Sequence, residues 1–211
     1  MIGTIILIFA AAFVFMRLFN SFGSSKYSND NTEPKMKPAL NLDIPKELNK
    51  LTTTIQPINP ELADDILEIK TVFENFVPEV FLKEAEQMFD KVFNAFVDSQ
   101  HQTLKEMLSI KLYENFASQI QKREDKNLRQ ELVIEHKKTY LKKISPTIET
   151  IQLLVSFEVS QMVAMVDISG KSLDNPSKLS RNVRHDWLFE TNKTEMNWTI
   201  IKTHSEELKS I

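Results

Sequence analysis

"IQLLVSFEVS", Ile151 to Ser160, decides how the second half of this chain folds. Its odd positions Ile151, Leu153, Val155, Phe157 and Val159 are apolar, while Gln152, Ser156, Glu158 and Ser160 intervene. A period of two places the apolar set on one face, as in a strand with one side buried. At Gln161-Met162 the alternation slips by one residue, which predicts a bulge that bends the strand. Upstream, a second strand is expected over about 136–144, meeting the first at the turn Ser145-Pro146-Thr147. Downstream, Gly170 and "LDNPSKLS" form a loop. Val183, His185, Trp187 and Phe189 then alternate with Arg184, Asp186 and Glu190. "NWTIIKT" supplies a last strand with Trp198 and Ile200 on one side.

Ahead of these strands the period is helical. Asn59-Pro60 is a helix start, since Asn caps free amides and Pro at the first position lacks the donor that would go unpaired. Leu62, Ile66, Ile69, Val72, Phe73 and Phe76 follow as one apolar stripe, and Glu61, Asp64, Asp65, Glu68 and Glu74 form an acidic face. Pro78 opens a second helix, with Phe81, Ala85, Met88, Phe89, Val92, Phe93 and Phe96 on a broad apolar face. A third helix is expected over about 102–122. Helices first and a mostly antiparallel four-stranded sheet afterwards make an α+β domain.

The first residues read differently. "IGTIILIFAAAFVFMRLF", Ile2 to Phe19, is free of charge until Arg17. Ile2, Ile5, Ile6, Leu7, Ile8, Phe9, Phe13, Val14, Phe15 and Met16 give a span at the short end for a bilayer, with Arg17 able to reach the interface. Lys26, Lys35 and Lys37 follow, so the positive-inside rule places the rest of the chain on the cytoplasmic side. The competing reading is a cleaved signal peptide with Ala10-Ala11-Ala12 at its cut site. The missing basic n-region and the apolar run continuing past Ala12 argue against it. Residues 1–19 are therefore expected to be a membrane anchor and 20–59 a polar, proline-containing tether. A flexible coil of that length spans roughly 35 Å. The folded domain is expected over 60–206, with 207–211 as a tail.

Composition excludes several functions. There is no cysteine, which removes disulfides, thiolate catalysis and cysteine-ligated metals. Net charge of -3 argues against a nucleic-acid partner. His101, His136, His185 and His204 are far apart, and the three glycines form no phosphate loop, so no metal, cofactor or catalytic set is assigned.

The order of "FLKEAEQMFDKVFNAF", "LKEML", "LYENF", "VSF" and "DWLFE…NW" resembles the Tim44-like family over about 62–206. Matching positions are Phe81, Leu82, Ala85, Phe89, Ala95, Phe96, Leu104, Lys105, Leu108, Tyr113 and Phe116, then Val155, Phe157, Gly170, Pro176, Trp187, Phe189 and Trp198. The resemblance implies a cone similar to nuclear transport factor two, with helices in a curved sheet and an apolar pocket between them. It also implies protein partners at an inner membrane, such as an Hsp70-type chaperone or another transport component. For the anchored bacterial relatives it implies a scaffold on the inner membrane facing the cytoplasm. The family often has Gly-Asp where this chain has Asp98-Ser99-Gln100, and Gly-Asp-Pro where it has Asp174-Asn175-Pro176.

Two sets of residues are candidates for contact. Phe89, Phe93, Val155, Phe157, His185, Trp187, Phe189 and Trp198 are core by pattern, and a cone open at one end would make them a cleft for a lipid tail, a peptide or a partner side chain. Lys122, Arg123, Lys126, Arg129, Lys137, Lys138, Lys142 and Lys143 form a basic stretch, read as a solvated surface or a contact for anionic lipid or an acidic partner. Cone folds also house isomerases that use a pocket Asp or His with Tyr, for which Asp186, His185, Tyr113 and Tyr140 are the nearest residues. Parity sets Asp186 on the face opposite Trp187, leaving His185 without a carboxylate partner. The favoured reading is a tethered, non-enzymatic interaction module, with a lipid or small-molecule pocket as the alternative.

Overall fold

The computed structural model describes residues 54–167, 169–173 and 180–208. The apolar run Ile2–Phe19, positions 20–53 of the polar stretch after it and Asp174-Asn175-Pro176 lie outside the described residues. No helix among the described residues is long and apolar enough to cross a membrane.

Four long strands run in sequence order and pair antiparallel with their neighbours: β2 (Leu128–Pro146), β3 (Thr150–Asp167), β4 (Ser180–Asn192) and β5 (Thr199–Glu207). A short strand, β1 (Thr54–Ile55), adds to the outer edge of β2 in parallel. β1 falls within the stretch 20–59 expected as a tether. At the other end β5 includes Glu207, and Leu208 donates its amide to Asn182 O at 2.8 Å.

The helices pack on one face of the sheet. Asn59 accepts from the Glu61 amide and Pro60 follows, as its sequence signals, but the first turn is a 3-10 turn (Pro60–Leu62) before α1 (Ala63–Val72). Phe73 and Phe76 fall beyond α1, where Phe76 is still buried beside Phe81 and Trp198. Pro78 opens α2 (Pro78–Val97), which buries Phe81, Leu82, Ala85, Phe89, Val92, Phe93 and Phe96.

The third helix is two. After α3 (His101–Met107) the backbone becomes extended at Leu108, and Ser109 caps α4 (Ile110–Glu124) by accepting from the Leu112 amide. The break lets Ser109 N donate to Ile200 O at 2.9 Å, tying the helices to the edge of β5. An apolar stripe that keeps its period across the break conceals it in sequence.

β2 is much longer than the expected 136–144, and its irregular pattern has a geometric cause. The register with β3 shifts twice, leaving Lys137 and Lys142 as extra residues. Each bulge reverses parity. The inner face of β2 is therefore Leu132, Ile134 and His136, then Thr139 and Leu141, then Ile144. A third shift makes Ile201 the extra residue of β5. The bulge expected at Gln161-Met162 is absent, because Ile134↔Gln161 and Val133↔Met162 pair in unbroken register. The slip in the β3 pattern has another origin: Gln161 occupies the inner face, and Ala164 and Val166 are buried on the outer one.

Arg123 closes the end of α2. It is 3% exposed, and its Nη2 donates to Phe96 O (2.8 Å), Val97 O (3.1 Å) and Ser99 Oγ (3.0 Å). Burial pulls its pKa down, while Glu124 and Asp98 pull it up. Two last-turn carbonyls, and a hydroxyl just beyond the helix, are thus bound by one cation at the negative end of the helix dipole. The chain turns here through Ser99 at φ 54, with Gln100 N donating to Ala95 O at 2.7 Å. This is the left-handed position that glycine usually takes. Ser99 stands there with its hydroxyl bound by Arg123 instead.

Replacing Arg123 with Met is expected to cost about 3 kcal/mol, since buried carbonyls lose a charged donor. Arg123→Lys should fall between Met and wild type, because an ammonium keeps the charge without the planar fork. Urea midpoints of the three proteins would check that ranking.

Candidate functional site

The inner face of the sheet brings together the aromatic residues singled out from sequence. Val155 pairs with Trp187, Phe157 with His185 and Leu153 with Phe189 across β3 and β4, so the apolar members lie on one face. Phe89 of α2 enters among them. Its ring centre lies 4.5 Å from Phe157, 4.6 Å from Phe93, 4.7 Å from Trp187 and 5.3 Å from both His136 and His185. Phe89, Val155, Phe157 and Phe189 are fully buried, Trp187 is 1% exposed, and Phe93 and Trp198 are buried. Trp198 packs on Phe76 and Phe81 rather than on Phe89, and Phe81 joins it to the cluster through Phe189 at 5.6 Å. These side chains fill the space between α2 and the sheet.

His185 is the polar member of this group. Gln161 Oε1 can only accept, so His185 Nε2 donates to it at 3.0 Å, and Nδ1 accepts from Ser205 Oγ at 2.7 Å. Both nitrogens of a neutral ring are therefore satisfied. Burial against Phe89 and Phe93 lowers its pKa from 6.5 to about 3, with Asp186 opposing that shift and His136 and His204 adding to it. A ring held neutral with both nitrogens engaged is spent on structure.

The other acid-base candidates are dispersed. Asp186 lies on the outer face, accepting from Ser156 Oγ at 2.5 Å and Lys142 Nζ at 2.8 Å. Burial would raise its pKa, but Lys142, Ser156 and Arg184 together hold it below the usual carboxylate value. Tyr140 donates to Glu158 at 3.3 Å, also on that face, and Tyr113 bonds His101 at 3.1 Å on the helical side. Under the sheet, His136 Nε2 meets Asp90 at 2.7 Å, beside Glu86, whose pKa is raised by burial against the lowering effects of Thr139 and His136. No group of three His, Asp or Glu among the described residues could hold a metal ion.

The basic stretch divides by role. Arg123 is buried as a helix cap, Lys142 pairs with Asp186, Lys137 pairs with Glu135, and Lys138 lies over the Tyr140 ring at 5.0 Å. Lys122, Lys126, Arg129 and Lys143 are exposed. From Arg129 to Lys142 the strand extends roughly 40 Å, so these charges are strung along β2 rather than gathered. Sequence reasoning missed the capping role of Arg123. The available signal was a lone Arg near the end of an amphipathic helix, in the same register as buried Ile120.

The neutral, buried ring of His185 sets a pH dependence. Between about pH 3 and 6.5 the unfolded chain binds a proton that the folded one does not, so stability falls as pH drops, by about 1.4 kcal/mol per unit. His185→Gln removes that slope. Urea titrations at pH 7 and pH 4.5 should show the variant losing about 2.7 kcal/mol less than wild type over the interval.

The solved structures similar to the chain include two of low identity. One is the crystal structure of the intermembrane space region of the chloroplast protein ARC6, at 13% identity and TM-score 0.41, covering 61% of this chain and 97% of that one. The other is a de novo β-sheet design solved by NMR, at 12% identity and TM-score 0.31, covering 63% of this chain and 92% of that one. No curated protein matches. A family model, the Tim44-like domain, matches residues 62–205, which takes in α1 to α4 and nearly all of the four long strands. Domains of this type are membrane-associated protein-interaction modules linked to translocation, and they are in general not enzymes. By that match, over most of its length, the chain belongs to the Tim44-like domain family.

Proposed function

We propose that this protein is a membrane-tethered, non-enzymatic scaffold that holds a partner protein at the cytoplasmic side of a bacterial inner membrane, in protein transport or chaperone recruitment. The family match over residues 62–205 carries the reading. The sequence supplies the tether: an apolar run, Ile2 to Phe19, followed by lysines, directs the rest of the chain to the cytoplasm. The domain itself is a cone similar to nuclear transport factor two, with the helices seated in its concave side. An Hsp70-type chaperone or a transport component is the partner class that the family suggests.

The state of His185 favours this reading over a catalytic pocket. General-base chemistry needs a ring nitrogen free to take a proton near neutral pH. His185 has neither nitrogen free, and its pKa lies near 3. Partner contact then falls on the exposed surface of the domain rather than on Phe89, Phe157 or Trp187.

Cross-linking the full-length protein in native membranes, followed by affinity purification, should recover one protein at near-stoichiometric yield. Recovery of no stoichiometric protein, together with a co-purified lipid or metabolite in native mass spectrometry, would overturn the scaffold reading in favour of a ligand pocket.

A further inference from the structure

The strand β1 covers only a short part of the outer edge of β2. Thr54 and Ile55 pair in parallel with Lys138 and Thr139, and Gln56 N donates to Thr139 O at 2.9 Å. Ile55 is therefore the end of β1 nearer Pro146, and Thr54 the end nearer Leu128. Among the described residues no strand pairs with the outer edge of β2 from Leu128 to Lys137. Leu132 and Ile134, on the inner face there, are half-buried, whereas Leu141 and Ile144 further along are buried. Unpaired donors and acceptors along an edge are a template for another strand, and proteins generally cover them.

The chain itself supplies a segment in the right place. In a parallel pair, residues ahead of Thr54 run beside those ahead of Lys138. "KLTT", Lys50 to Thr53, stands directly before β1, and no proline lies between Pro45 and Pro57. Its β-branched threonines favour a strand, and residues 50–55 together have an ordinary strand length. Ladder partners share a face, so Ile55 lies on the inner face with buried Thr139. A period of two then assigns Thr53 and Leu51 to the inner face, and Thr52 and Lys50 to the outer. A strand that follows the bulge at Lys137 sets Leu51 beside Ile134, and Lys50 beside Val133 between Glu131 and Glu135. Apolar side chain meets apolar side chain, and cation meets carboxylates.

We propose that residues 50–53 extend β1 along the edge of β2 from Val133 to Lys137, so that the last part of the tether is a strap closing that edge. Seating these residues shortens the reach of a flexible tether by only roughly 2 Å, so the strap acts on the edge and not on reach. In the tethered arrangement proposed above, copies held on one membrane meet often, and a covered edge keeps their sheets from joining.

The chain has no cysteine, so introduced thiols are the only ones present. Full-length protein in phosphatidylcholine nanodiscs is treated with a thiol cross-linker spanning about 5 Å, the spacing of adjacent strands. Leu51→Cys with Ile134→Cys should be joined within one chain, and Leu51→Cys with Lys143→Cys should not. Hydrogen exchange reads the bonds separately. Alternate residues of a parallel strand bond the same neighbour, so with Gln56 bonded to β2, Thr52 bonds β2 as well and Thr53 points its amide away. Thr52→Pro should speed exchange about tenfold or more at the amides of 133–137 that face away from β3, with β3 and β4 unchanged. Thr53→Pro, which loses no ladder donor, should exchange like wild type. Equal cross-linking to positions 134 and 143 overturns the proposal, as does wild-type exchange in Thr52→Pro or equal loss of protection in both proline variants. Cross-links that join two chains overturn it in favour of a second copy's segment. If Thr52→Pro also speeds exchange in β3 and β4, the cross-linking comparison, made without proline, decides. Recovery of a partner from native membranes stands or falls separately.

Discussion

One ring, that of Phe89, joins the helical and sheet halves of the domain. It touches a residue of β2, one of β3 and two of β4, along with Phe93 on its own helix. For those contacts to coexist, β3 and β4 must be in the register that pairs Phe157 with His185 and Val155 with Trp187. A slip of one residue would turn the apolar set of either strand outward. The neutral state of His185 follows from the same constraint, because the side chains that seal Phe89 also exclude the water an imidazolium would need. Register, helix placement and the inertness of His185 are consequences of one packed aromatic cluster.

The outer face of the sheet is organised by charge. Lys142 reaches Asp186, Asp186 accepts from Ser156, and Arg184 pairs with Glu206 at 2.6 Å. These bonds tie β2, β3, β4 and β5 side by side with polar atoms. Lys142 does so from a bulge, so the residue that interrupts the β2–β3 ladder on one side secures the sheet on the other. Mixed charges on a half-exposed sheet favour solubility more than stability, in line with the modest worth of exposed ion pairs.

Much of this was legible in the sequence. Alternation in Ile151–Val159 and Val183–Phe189, broken only by Leu154, His185 and Leu188, gave β3 and β4 with the correct face inward, because neither segment contains a bulge. Pro78 marked the start of α2, since proline is tolerated there and nowhere further into the helix. What escaped reading were places where tertiary contact overrode local pattern. Two parity reversals at Lys137 and Lys142 made β2 look irregular. The α3–α4 break at Ser109 is held by a bond to distant Ile200, and Arg123 read as a surface cation although it caps a helix 27 residues earlier. The shared aromatic cluster was foreseen as a set of residues, but its filling by Phe89 depends on a helix-to-sheet distance that no single-sequence pattern encodes.

The placement of β1 has a mechanical consequence. Because it lies parallel to β2, Thr54 is the end of β1 nearer Leu128 and Ile55 the end nearer Pro146. Tension applied from that side runs along the strand axis, so the bonds made by Thr54, Ile55 and Gln56 bear the load together rather than opening one after another. A domain connected in this way resists being drawn along its sheet more than being peeled from it, and the direction of pull at its N-terminal side decides which of these it experiences.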